Sequence, residues 1–130
     1  MKKILIVEDD HSLYKMYATE LEFRGYSVVW EENGDLAIDR AEKENPALIL
    51  LDIMLPGKDG LTILSELKSS AAIRDIPVFV ITNFGEEGNI KKAIETGAAD
   101  FLLKYKIVPS ELADKVDEFF GNKKRGVPIT

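Results

Sequence analysis

The chain has 130 residues, 45% of them hydrophobic and 31% charged, the composition of one soluble globular domain that can bury a core without staples. It has no cysteine and a single histidine, His11, which excludes disulfides, thiol chemistry and nitrogen- or sulfur-rich metal sites and leaves oxygen ligands. A formal net charge of −6 argues against nucleic acid as the main partner. The first apolar run, residues 4–7, is too short for a signal peptide or a membrane span, so the expected location is the cytoplasm, without membrane insertion.

Apolar runs bounded by turn residues alternate with segments of helical period. Residues 4–7 read as the first of five strands, all expected to be buried on both faces. Leu13, Met16, Tyr17 and Leu21 then fall on one helical face that ends near Gly25. A second strand at 28–30 leads to a helix over about 35–44, with Ala37, Ile38 and Ala41 on one side and Pro46 beyond its end. The third strand, 47–51, precedes a helix carrying Leu61, Leu64 and Leu67. The fourth strand, 78–81, precedes one carrying Ile90, Ala93 and Ile94 and ending at Gly97. The fifth strand, 101–103, precedes a helix that starts at Pro109-Ser110 and carries Leu112, Val116, Phe119 and Phe120. Five strands alternating with five helices predict an α/β domain: right-handed βαβ crossovers and a doubly wound parallel sheet with helices on both faces. The domain is expected to span residues 1–121, with a flexible, basic tail at 122–130 and no room for an effector domain.

In such sheets ligands sit at the carboxyl ends of the strands. Strand one ends in Glu8-Asp9-Asp10, strand three in Asp52, strand four in Thr82-Asn83 and strand five in Lys104. Glu8, Asp9 and Asp52 would repel one another unless a cation sat among them. Oxygen donors alone select a hard cation, and Mg²⁺ suits a few carboxylates plus a phosphate oxygen. The Lys104 ammonium and the Thr82 hydroxyl supply what a transferring phosphoryl group needs. Asp10 reads as a helix cap and His11 as a surface residue; Trp30, Tyr14 and Tyr17 read as packing residues, and the Lys123-Lys124-Arg125 run as a solubilising end.

Residues 4–10 (Ile-Leu-Ile-Val-Glu-Asp-Asp), 50–60 (Leu-Leu-Asp-Ile-Met-Leu-Pro-Gly-Lys-Asp-Gly), 80–82 (Val-Ile-Thr) and 97–104 (Gly-Ala-Ala-Asp-Phe-Leu-Leu-Lys) together resemble the receiver domain of two-component response regulators, over nearly the whole chain. The resemblance implies a flavodoxin-like three-layer fold with strand order 2-1-3-4-5. It implies that Asp52 is the phosphorylated nucleophile, that Asp9 ligates Mg²⁺ (or Mn²⁺) directly with Glu8 acting through a water, and that Asp52 and the Met54 backbone carbonyl complete the site. By the same likeness Thr82 moves toward the phosphoryl group, Lys104 pairs with it, Phe101 is an aromatic switch, and Pro56 and Gly60 shape the loop after the nucleophile. A sensor histidine kinase or phosphotransfer protein is the implied donor. A downstream protein is the implied receiver of a changed surface on the fourth helix, fifth strand and fifth helix, and a homodimer formed on phosphorylation stays open.

Four positions, in three places, depart from the family pattern. Tyr105 stands where receivers usually have a proline after a cis bond, and a cis bond before tyrosine costs about 3 kcal/mol. Asn83 replaces a small residue, and Met54 and Phe84 are apolar where some receivers orient the hydrolytic water, which predicts a long-lived phosphoryl-aspartate. Other readings are a receiver that binds partners without phosphorylation, a haloacid-dehalogenase-type phosphohydrolase, and a flavin module. The second lacks its second acid in Asp52-Ile53-Met54, and the third would need a phosphate cradle where Glu8-Asp9-Asp10 stand. The chain is therefore expected to catalyse only its own phosphorylation and dephosphorylation.

Overall fold

Successive side chains of a strand point to opposite faces of its sheet, and the apolar runs divide accordingly. β1 (Lys3–Val7), β2 (Ser27–Glu31), β3 (Leu48–Asp52), β4 (Val78–Thr82) and β5 (Asp100–Leu103) pair in parallel in the order β2-β1-β3-β4-β5. Leu5, Val7, Ile49, Leu51, Val78 and Val80 face α2 (Ala37–Glu44), α3 (Gly60–Ser69) and α4 (Glu87–Thr96). Ile4, Ile6, Leu48, Leu50, Phe79 and Ile81 face α1 (His11–Phe23) and α5 (Pro109–Phe120). The computed structural model describes residues 1–55, 58–83 and 87–122. Pro56, Gly57, Phe84 and the basic stretch 123–130, which carry expectations above, lie outside the described residues. Among the described residues no helix is long and apolar enough to cross a membrane.

Two details differ from the sequence reading. The central strands β3 and β4 are buried along their whole length, and β1 is buried beyond Lys3, whereas β2 and β5 are sheet edges and mostly half-buried. The second helix starts later than residue 35. The Asn33 side chain accepts the Asp35 amide at 2.9 Å and closes a 3-10 turn over Gly34–Leu36, so the α-helix itself begins at Ala37.

The loop that leaves β3 is pinned by the start of α3. Gly60 donates its N–H to the Ile53 carbonyl at 3.2 Å. A Cβ at Gly60 would lie 2.6 Å from that oxygen, so no other residue fits without moving the loop. Asp59 caps α3 by accepting both the amide and the hydroxyl of Thr62, each at 3.3 Å. On α1, Asp10 accepts the Leu13 amide at 3.1 Å, the capping role read from the sequence.

A polar network that sequence reading missed joins the end of α1 to α5. Asp117 is buried and accepts from the Tyr26 hydroxyl at 2.5 Å and from Arg24 Nη1 at 2.7 Å. Arg24 also reaches Asp114 and Glu20, and Asn122 donates to the Tyr26 hydroxyl at 2.9 Å. Removing Asp117 leaves Arg24 paired with Asp114 and Glu20 but takes the carboxylate acceptor from the buried Tyr26 hydroxyl. Asp117→Ala is therefore expected to lower the unfolding free energy by about 1–3 kcal/mol in urea titrations; a loss of only about 0.5 kcal/mol would mark the network as no stronger than a surface pair.

Candidate functional site

Parallel register sets Val7 opposite Leu51 and Thr82 opposite Leu103, so Glu8, Asp52 and Lys104 come to one edge of the sheet. The Lys104 ammonium lies 2.7 Å from Asp52 Oδ2 and 2.6 Å from Glu8 Oε1. Both contacts are ion pairs, and the first is also a well-directed hydrogen bond. Asp52 Oδ1 accepts the Met54 amide at 2.9 Å, and Glu8 Oε2 accepts the Asp10 amide at 3.1 Å. Glu8 and Asp52 are buried and Asp9 is exposed. With Asp10, Met54, Asn83 and Lys104 they line an open cavity of about 360 Å³.

No peptide bond among the described residues is cis, so Tyr105 follows Lys104 through a trans bond. Lys104 opens a 3-10 turn, Lys104–Lys106, with its ammonium still on both acids. The cost of a cis bond before tyrosine is thus avoided without loss of the lysine's reach.

The structure brings together Glu8, Asp9, Asp52, Met54 and Lys104 from the expected set. Thr82 ends β4 fully buried, next to Asn83 on the cavity wall. Phe101 stands apart on β5, half-buried against the core on the α2–α3–α4 side. It lines a separate groove of about 290 Å³ together with Leu103, Lys106, Ile107 and Lys115. His11 lies on the surface, as read from the sequence, and there it pairs with Glu32 at 2.9 Å, a contact the sequence reading did not include. Two contacts went unread: the Met54 amide on Asp52, and the second acid on Lys104. Backbone donors leave no residue-type signal, and the lysine's choice of partners depends on strand order.

Burial, reinforced by the Asp52 charge and opposed by Lys104, pushes the Glu8 carboxyl from 4.5 up to about 7. Burial alone would pull the Lys104 ammonium down, but its bonds to Asp52 and Glu8 outweigh that and raise it. Glu8, Asp9 and Asp52 each offer a carboxylate oxygen, all within 4.8 Å of one another. Three hard donors converging where two buried acids share a single ammonium fit a divalent cation of the Mg²⁺ or Mn²⁺ kind.

Residues 4–117 match the family model described as "Response regulator receiver domain". The chain belongs to that family. The receiver domain is 40% identical over 115 residues to the phosphate regulon transcriptional regulatory protein PhoB of Klebsiella pneumoniae, a match covering 88% of this chain and 50% of the relative. It spans about half the length of the first curated relatives it matches. Among solved structures it is similar to the BeF3-activated N-terminal receiver domain of Klebsiella pneumoniae RstA, with a TM-score of 0.81 and 35% identity over 89% of this chain and 96% of that one. It is also similar to the Mn²⁺-bound response regulator Rcp1, with a TM-score of 0.79 and 26% identity over 100% of this chain and 99% of that one. The chain is thus a two-component phospho-acceptor domain with an acidic pocket of Glu8, Asp9 and Asp52, and no conventional enzyme.

The raised Glu8 carboxyl makes stability depend on pH in the receiver domain. Between 4.5 and about 7 the folded chain holds a proton that the unfolded chain releases, so stability falls as pH rises through that window. In EDTA, urea titrations are expected to show this decline for the wild type and a flatter profile for Glu8→Gln. Superimposable profiles would mean that Glu8 titrates normally.

Proposed function

We propose that Asp52 accepts the phosphoryl group, and the observation that carries this reading is the state of its carboxylate. One oxygen accepts the Met54 amide, the other the Lys104 ammonium, and the buried Asp52 lines an open cavity. A carboxylate oxygen of Asp52 attacks phosphorus, and the bond from phosphorus to the donor's imidazole nitrogen breaks as that nitrogen takes the electron pair. Little covalent chemistry falls to the protein, so position and charge dominate. Glu8, Asp9, Asp52 and the Met54 carbonyl are the residues that would hold Mg²⁺. When bound, Mg²⁺ neutralises charge on the incoming phosphoryl oxygens. Lys104 can move from Asp52 to a phosphoryl oxygen, and Thr82 can turn its hydroxyl to another.

In this reading the donor is a sensor histidine kinase or a phosphotransfer protein. Thr82 and Phe101 sit on neighbouring strands, with Val80 opposite Phe101, which supports a coupled change of β4 and β5 that alters the α4–β5–α5 surface. The expectation that the signal passes to a separate protein takes a broader form. The curated relatives carry about as much chain again as the matched part, so the same surface serves an effector in the same chain or in another.

Incubation with acetyl phosphate and Mg²⁺ followed by intact mass tests the acceptor. One phosphoryl adduct, lost in EDTA and absent from Asp52→Asn, is expected. Continuous release of phosphate would indicate a hydrolase instead, and no adduct on the wild type would indicate a receiver that acts without phosphorylation.

The Met54 side chain is half exposed at the cavity and cannot orient a water, which supports slow hydrolysis. Radiolabel on Asp52 is expected to persist several-fold longer in the wild type than in Met54→Asn/Phe84→Glu. Equal decay would remove these two positions from the control of lifetime.

A further inference from the structure

Trp30 reaches the acidic loop through the pairing of β1 with β2. Ile6 lies opposite Trp30 and Val7 opposite Glu31, and the ladder runs one step past β1, where the Glu8 N–H donates to the Glu31 carbonyl at 3.0 Å. The Glu8 carbonyl then accepts the Trp30 indole N–H at 2.7 Å. Both backbone polar groups of Glu8 are therefore held by β2, one by its main chain and one by this indole. The ring is itself fixed. It stacks on Tyr14 with centroids 4.4 Å apart and planes 10° from parallel, and His11 meets it edge-on at 4.4 Å and 89°. His11 is in turn bonded to Glu32.

The carbonyl that the indole grips belongs to the peptide joining Glu8 to Asp9. That unit is planar, so fixing its oxygen fixes the direction in which Asp9 leaves the strand. The exposed Asp9 carboxylate takes its place from this backbone, yet its oxygen must stay within 4.8 Å of those of Glu8 and Asp52. We infer that Trp30 is a positioning residue for the divalent-cation site, holding the Glu8–Asp9 peptide so that the three carboxylates converge before the ion arrives. This rests on reading those acids as the cation site. An exposed carboxylate on an unclamped loop would have to be ordered at the moment of binding, which weakens affinity.

Isothermal titration of the full chain with MgCl₂ tests this. Trp30→Phe keeps a ring against Tyr14 and removes the N–H. Val28→Ala, on the same face of β2 and packed against the core, lowers stability without touching the loop. Trp30→Phe is expected to bind Mg²⁺ about tenfold more weakly, with faster amide exchange at Asp9 and Asp10. Saturating Mg²⁺ should restore its phosphorylation by acetyl phosphate, because Trp30 touches no reacting atom. Val28→Ala should keep wild-type affinity despite a lower Tm. Equal affinity in wild type and Trp30→Phe would overturn the inference, as would an equal loss in Val28→Ala. A wild type that takes up no Mg²⁺ would overturn the cation site itself and this inference with it.

Discussion

Two buried carboxylates share one ammonium at the carboxyl edge of the sheet, and the rest of the structure is arranged around that imbalance. Burying Glu8 and Asp52 together costs several kcal/mol per ion unless the charges are paired. Lys104 contacts both, but one positive charge cannot neutralise two negative ones, and the exposed Asp9 adds a third acid within 4.8 Å. The residue of that conflict appears in the raised Glu8 carboxyl. A pocket left short of positive charge favours a hard cation, and a cation in turn makes the approach of a phosphoryl dianion tolerable. The acids are a stability cost in the empty pocket and an asset in the loaded one.

Holding like charges together requires a stiff frame, and the frame is visible in particular residues. β3, which carries Asp52, is central in the sheet and buried along its length. Gly60 lets the start of α3 press against Ile53, which closes the loop that leaves Asp52. Trp30 and Glu31 grip both backbone groups of Glu8. On the far face, Arg24, Tyr26 and Asp117 tie α1 to α5. Tyr105 shows how little of this depends on the family's usual proline: the trans bond and a 3-10 turn deliver Lys104 to the same two acids.

The layers were legible because the signal is local. Apolar runs of strand length and the helical spacing of Leu61, Leu64 and Leu67 need no knowledge of partners. Strand order was not legible from periodicity and came from the resemblance to receivers. The acids and Lys104 were legible as strand-end residues, and their convergence followed once the order was known. What stayed hidden depends on pairing between distant segments. The Arg24–Asp117 bond joins residues 93 positions apart. The Trp30 contact exists only because Ile6 faces Trp30 across β1 and β2, and a tryptophan in an apolar run carries no mark of where its N–H will point. The half-buried edges β2 and β5 were missed for the same reason: Val28 and Phe101 are as apolar as central-strand residues.

The position of Lys104 in the chain joins the chemistry of the pocket to the surface. It follows β5 directly and opens a 3-10 turn, and Phe101 and Leu103 of the same strand line the groove that runs toward Lys115 of α5. An ammonium that gives up Asp52 for a phosphoryl oxygen must carry its backbone or its side chain with it. Glu8 resists the move, because its buried carboxylate would lose its counter-charge. A cation on Glu8, Asp9 and Asp52 removes that resistance by supplying the charge Lys104 takes away. Loading the cation site would then do more than assist phosphoryl transfer, since it would also free the lysine at the end of β5 to respond to it. The two functions of the pocket, accepting the group and reporting its arrival, would compete for one ammonium without the cation and separate when it is bound.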